Sequence, residues 1–143
     1  MTSKLARRFF LGGASAVAII AGAALNAATF DFSFTGSLQS DTTTQAGTYR
    51  ISIGGASGGD GAIFSGGTGA RILGDVYLGA GSGFSVLVGG DGAYGRVETS
   101  GGGMSYFRSG ATLAVAGGGG GGSDAAGADG GAYASDGGGT GGG

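Results

Sequence analysis

From Thr29 onward, apolar and polar residues alternate in short bursts separated by glycine. In "TFDFSFTG" the rings of Phe30, Phe32 and Phe34 alternate with Asp31 and Ser33, placing three aromatic side chains on one face of a strand. "SLQSDTTTQAG" reads as a polar connection, after which "TYRISIGG" resumes the period of two through Tyr49, Ile51 and Ile53. The block "ARILGDVYLGAGSGFSVLVGGDG" carries Ile72, Val76 and Leu78 on one face, then a glycine-serine turn, then Phe84, Val86 and Val88. It predicts a β-hairpin with a loop of about four or five residues. "GRVETSGG" and "ATLAVAGG" predict two further short strands, the second carrying Leu113 and Val115. No helical period follows residue 28, so the pattern predicts an all-β chain with glycine-rich insertions.

The first 28 residues differ. Lys4, Arg7 and Arg8 precede an apolar run from Ala14 to Leu25 that ends in small residues, the arrangement of a cleavable export signal, with cleavage expected after Ala27 or Ala28. This predicts a signal helix over residues 1–28. Within it, "ARRFFLGG" resembles the bacterial twin-arginine export motif: Arg7, Arg8, Phe10 and Leu11 match, whereas Ala6 and Gly12 depart from the usual Ser/Thr and Lys. General secretory export is the other reading. The apolar run is shorter than the ~20 residues that span a bilayer, so contact with the membrane is expected only transiently, during export.

Composition narrows function mainly by exclusion. The chain has 143 residues, 40 of them glycine, and no histidine, cysteine, tryptophan or proline. Ser-His-Asp and Cys-His nucleophile systems and the usual zinc ligands are therefore absent, and no disulfide can hold the fold. Without the leader, Arg50, Arg71, Arg96 and Arg108 face nine acidic residues, a net charge of −5, which opposes nucleic-acid binding. Asp75 and Asp91 are the carboxylates considered for a glycosidase pair, yet nothing in their local sequence distinguishes them from solvated strand-edge residues.

A short repeat runs through the glycine-rich parts: "GGDGA" at Gly58–Ala62, "GGTGA" at Gly66–Ala70 and "GGDGA" at Gly89–Ala93. Its first four positions match the calcium-binding nonapeptide of β-rolls, but the sixth, where that repeat carries an Asp ligand, holds Ile63, Arg71 and Tyr94. Turn chemistry, with glycine supplying φ > 0, is the commoner source of such a pattern. The run "GGGGGG" at Gly117–Gly122 has no side chains to offset the cost of ordering, about 1–2 kcal/mol per residue. It gains order only through lateral backbone bonds in an extended three-residue-per-turn helix, polyglycine II. Residues 117–143 are thus expected either as ordered polyglycine helix or as disordered chain, following a β-rich part over 29–116.

The succession "FxFTGSLQ", "TYRISIGGASGGDGA", "GGTGARILGDVYLGAGSGFSVLVGGDG" and "LAVAGGGGGGS" resembles the glycine-rich domain of secreted bacterial proteins, over roughly Thr29 to Ser123. That domain is similar to the extracellular glycine-rich region of the anaplastic lymphoma kinase and leukocyte tyrosine kinase receptors. The resemblance implies a β-sandwich of tumour-necrosis-factor-like, jelly-roll-like character carrying polyglycine helices in a hexagonal array. It also implies binding of a protein ligand. Members usually add a returning strand after the glycine run, so either this chain is the N-terminal fragment of a larger surface or autotransporter-like protein, or its closing strand comes from elsewhere.

No kinase activity follows from the resemblance. The only lysine is Lys4 and there is no histidine, so the phosphate-binding lysine and the H-R-D loop of kinases are both missing. The expected function is that of an exported, non-enzymatic structural or adhesive module with no cofactor and no metal, acting at the bacterial cell surface, in the periplasm or outside the cell. Its expected partner is a protein or glycan. The candidate contact residues are the aromatics Tyr94, Tyr106, Phe107 and Tyr133, with Tyr106-Phe107-Arg108 the best placed because adjacent rings and a guanidinium suit a contact surface.

Overall fold

The computed structural model describes residues 15–21, 29–96 and 98–135. Nine strands are formed among the described residues: β1 (Val17–Ala21), β2 (Thr29–Phe32), β3 (Gln39–Thr42), β4 (Gly47–Gly54), β5 (Arg71–Leu78), β6 (Gly83–Leu87), β7 (Ser105–Ser109), β8 (Thr112–Ala116) and β9 (Ala132–Ser135). They make two antiparallel sheets, one of four strands in the order β2-β1-β4-β5 and one of five in the order β3-β6-β7-β8-β9. The sheets pack face to face as a β-sandwich, with β4 and β5 lying over β7, β8 and β9.

The alternation that marks the strands also builds the core. Tyr49, Ile51 and Ile53 point inward from β4 and are buried, as are Phe84 and Val86 of β6. Phe84 is the aromatic centre: its ring meets Phe30 at 5.3 Å and Phe32 at 6.0 Å, both edge-on, and Phe107 at 5.8 Å. Phe30 and Phe32 therefore tie β2 of one sheet to the other, in geometries that aromatic quadrupoles favour. Phe34 departs from the expected three-ring face. It lies past the end of β2, is 57 % exposed, and lays its ring over Gly90 instead.

The predicted hairpin is not one. β5 pairs with β4 in the four-stranded sheet, whereas β6 pairs with β3 and β7 in the other, so residues 79–82 cross between sheets. The crossing is clasped by Thr43, whose hydroxyl donates to the Gly79 carbonyl at 2.6 Å and whose N–H donates to Ser82. Gly81, at φ 75°, takes the turn that a side chain would strain, and its N–H returns to the Thr43 carbonyl. β3 itself arises within the stretch read as a polar connection, and none of the described residues of "GRVETSGG" lies in a strand.

The signal-helix expectation needs correction where it can be compared. Val17–Ala21, inside the apolar run, is a strand in the middle of the four-stranded sheet, with β2 on one side and β4 on the other. Val17 and Ile19 are buried in the core. The β-branched residues Val17, Ile19 and Ile20 favour extended backbone, and two flanking ladders satisfy the groups that a helix would satisfy internally. Arg7, Arg8, Phe10 and Leu11 lie outside the described residues.

Candidate contact surface

Three glycine-rich excursions leave the sandwich and return: residues 55–70 between β4 and β5, 88–104 between β6 and β7, and 117–131 between β8 and β9. Each has an outward and a returning limb, and the limbs bond to one another through backbone groups at intervals of three. Gly55 and Gly58 donate to Ala70 and Gly67; Ala56 and Gly59 donate to Gly103 and Ser100. Gly119 and Gly122 donate to Ala56 and Gly59; Gly67 and Ala70 donate to Gly120 and Gly117; Gly127 and Gly130 donate to Ser65 and Thr68. The partners are those of two rows of three limbs in triangular packing. Residues 89–95, 55–61 and 65–70 form one row, and 100–103, 117–122 and 127–131 the other.

Glycine in this array is not used for turns. Among the described residues the positive-φ glycines are Gly36, Gly81 and Gly110, all outside it. What the array requires is the missing Cβ: one placed on Gly58 would strike the Gly120 carbonyl, on Gly119 the Gly67 carbonyl, and on Gly69 the Gly55 carbonyl. The turn reading of the "GGDGA" repeats is thereby corrected, since their glycines permit backbones to touch. Two carboxylates at exposed positions bond inward. Asp129 accepts the Thr68 N–H and hydroxyl, both at 2.8 Å, and Asp91 accepts the Ser57 N–H at 3.2 Å.

All three outward limbs run the same way, so their turns gather at one end, away from the sheets. Gly95 donates to Asp60, and Gly122 to Gly59, joining the turns through their backbones. This end exposes Ile63 (84 %), Tyr94 (69 %) and Phe64. Of these only Tyr94 is among the residues singled out from the sequence. Ile63 and Phe64 sit in no strand pattern, and the signal available was an apolar pair stranded between glycine repeats.

The other sequence candidates disperse. Tyr106, Phe107 and Arg108 are consecutive on β7, so their side chains alternate across the sheet. Phe107 is fully buried in the core, Tyr106 is half-buried and Arg108 is exposed on the outer face, and a contiguous three-residue surface is ruled out. Tyr133 lies on the outermost strand, β9, opposite Val115. Asp75 and Asp91 are engaged separately. Asp75 accepts a two-pronged bond from Arg50 across β4 and β5, at 2.8 and 3.1 Å, which lowers its pKa through that hydrogen bond. Beside this pair, Leu73 and Tyr77 project from the outer face of β5, a second exposed patch that the hairpin pattern did not reveal.

Among the described residues no group of three or more His, Cys, Asp or Glu is placed to hold a metal ion, and no helix is long and apolar enough to cross a membrane. Comparison with protein-family models, with curated proteins and with solved structures yielded no match.

Proposed function

We propose that the chain is an exported, non-enzymatic structural or adhesive module in which a β-sandwich anchors a polyglycine-II-type bundle and presents its three turns to a protein or glycan at the bacterial cell surface. The observation that carries this reading is the backbone ladder of the array, whose bonds recur every third residue, the repeat of a polyglycine II helix. Excursions held at both ends by strands, with limbs bonded laterally, form a stiff support, and Ile63, Phe64 and Tyr94 crown it. Aromatic and aliphatic side chains on a pre-ordered support lose little entropy on contact, which favours a binding role. The resemblance to the glycine-rich domain of secreted bacterial proteins points the same way, and so does the arginine-pair leader.

The test is binding of the purified chain to immobilised glycans and to bacterial and host cell-surface proteins, alongside the variant Ile63→Ser/Phe64→Ser/Tyr94→Ser. Saturable binding that the triple variant loses, at unchanged melting temperature, supports the reading. Binding that survives the triple variant removes the turns from the role, and hydrolysis of any offered glycan removes the non-enzymatic assignment.

A further inference from the structure

The expected cleavage after Ala27 or Ala28 falls between β1 and β2, so removing the leader strips an interior strand while leaving both of its neighbours in place. β1 is antiparallel to β2 and to β4, which are therefore parallel to each other and separated by the width of one strand. Without β1 they stand about 9–10 Å apart, twice the inter-strand spacing, each with a row of unpaired N–H and C=O groups facing the gap. The gap is also deep. Val17, opposite Phe32 and Ile53, and Ile19, opposite Phe30 and Ile51, fill two apolar holes that open into the core. At its far end the Ser15 hydroxyl donates to the Gly89 carbonyl at 2.6 Å, and the Ala16 carbonyl accepts from Gly54, linking this strand to the base of the glycine array.

We propose that the space between β2 and β4 is a strand-acceptor groove, filled by Val17–Ala21 while the leader is attached and by an extended strand of a partner polypeptide once it is gone. The in-trans half rests on the export reading above. The groove specifies its occupant: a strand antiparallel to both walls, with β-branched apolar residues at two inward positions two residues apart, one small residue between them, and a hydroxyl near its start. Main-chain bonds on both edges supply affinity and the two inward side chains supply selectivity, the physics of β-strand addition. A polar residue at the Ile19 position would bury an unsatisfied group and close the groove to that strand.

The full chain carrying Ile19→Asp, followed by amide hydrogen exchange, tests the groove directly. Exchange in β2 and β4 is expected to rise about tenfold or more, and an added peptide of residues 13–22 is expected to restore protection, whereas the same peptide with Ile19→Asp does not. As a second route, the unaltered chain is given a specific protease site between Gly22 and Ala27, cut, unfolded and refolded with excess fluorescent peptide, which should be taken up. Protection in β4 that survives Ile19→Asp overturns the proposal, as does a cut chain that refolds without label or takes up the Ile19→Asp peptide equally well. The export reading is checked separately, by the amino terminus of the protein recovered outside the cytoplasm. A start at Ala28 or Thr29 supports filling in trans, while a retained Met1 overturns that half and leaves the peptide result to decide the groove.

Discussion

The sandwich and the glycine array bury comparable lengths of chain by opposite means. In the sandwich, backbones stay a strand spacing apart and side chains fill the space between sheets; burying each large apolar residue contributes about 1.5–3 kcal/mol. In the array the side chains are absent and the backbones themselves meet, each lateral bond contributing a net ~0.5–1.5 kcal/mol with weak Cα–H···O contacts besides. One interior tolerates a lost methylene poorly and the other tolerates an added methyl poorly. The difference also sets dependence: every limb of the array is tethered to a strand, so the weaker interior borrows its loop closure from the stronger one.

The largest test of that dependence is Phe107→Ala. Phe107 is fully buried against Phe84, and its truncation is expected to cost about 3–5 kcal/mol in urea unfolding. Amides at Gly58, Gly67 and Gly120 should lose protection in the same transition as Tyr49 and Ile51. An array that keeps its protection after the sandwich has melted would show two independent units and end the argument from tethering.

Next in size is Gly119→Ala. The new methyl meets the Gly67 carbonyl, a backbone atom that cannot swing aside, and overpacking of this kind costs about 1–3 kcal/mol. Gly74→Ala on β5, which meets nothing within 4 Å, is the paired control and should be neutral or stabilising by roughly 0.5 kcal/mol. Equal melting temperatures for the two variants would mean that the limbs separate easily and that the array is not close-packed.

These two substitutions also mark what could be read from the sequence. The period of two located β4, β5 and β6, because one buried face leaves that trace in side-chain type; β8 was found by its apolar run, yet the face it buries carries Ala114 and Ala116 rather than Leu113 and Val115. It failed for β3, whose "QSDT" is largely exposed at a sheet edge and carries no apolar signal. It gave strand positions for β5 and β6 but not partners, since a short glycine-serine link serves a hairpin and a sheet-to-sheet crossing equally well. Apolar length suggested export for the segment that contains β1, while its β-branched residues suit a strand, and hydrophobicity alone does not separate the two. The array was legible only as a possibility: its three-residue period lives in hydrogen bonds, not in residue identities, because Ser57, Thr68 and Ala128 stand among the glycines at less crowded positions and even the buried Ala56 breaks the glycine pattern. Ile63 and Phe64 were missed for the same reason, as their exposure follows from where three turns converge.

A smaller effect separates polar anchoring in the two regions. Inside the sandwich the Tyr49 hydroxyl donates to the Gln45 carbonyl at 2.7 Å, and Tyr49→Phe removes that bond while keeping the ring, at an expected cost of about 1 kcal/mol. The melting temperature should fall slightly with no change in the hydrogen exchange of the array. A loss confined to the array would show that the corner at Gln45 governs the limbs.

The smallest effect is electrostatic and belongs to the array's rim. The Asp129 carboxylate is held below the ordinary carboxylate range, first by the Thr68 backbone N–H and then by the Thr68 hydroxyl. Because its pKa is lower folded than unfolded, its contribution is fully present above the unfolded value, about pH 4, and is lost as pH falls through the folded value. Acidification below about pH 4 should therefore loosen residues 127–131 from 65–70, with the Thr68 and Gly130 amide resonances shifting along the titration of the Asp129 carboxyl carbon. Asp129→Asn should flatten that pH dependence. Asp75 is lowered as well, through Arg50, but it lies on the outer face of the sandwich, so Asp75→Asn should leave the Thr68 titration unchanged. An Asp129 carboxyl that titrates at or above its ordinary value would break the link between this side chain and the order of the limb, leaving the backbone ladder alone to hold residues 127–131 to 65–70.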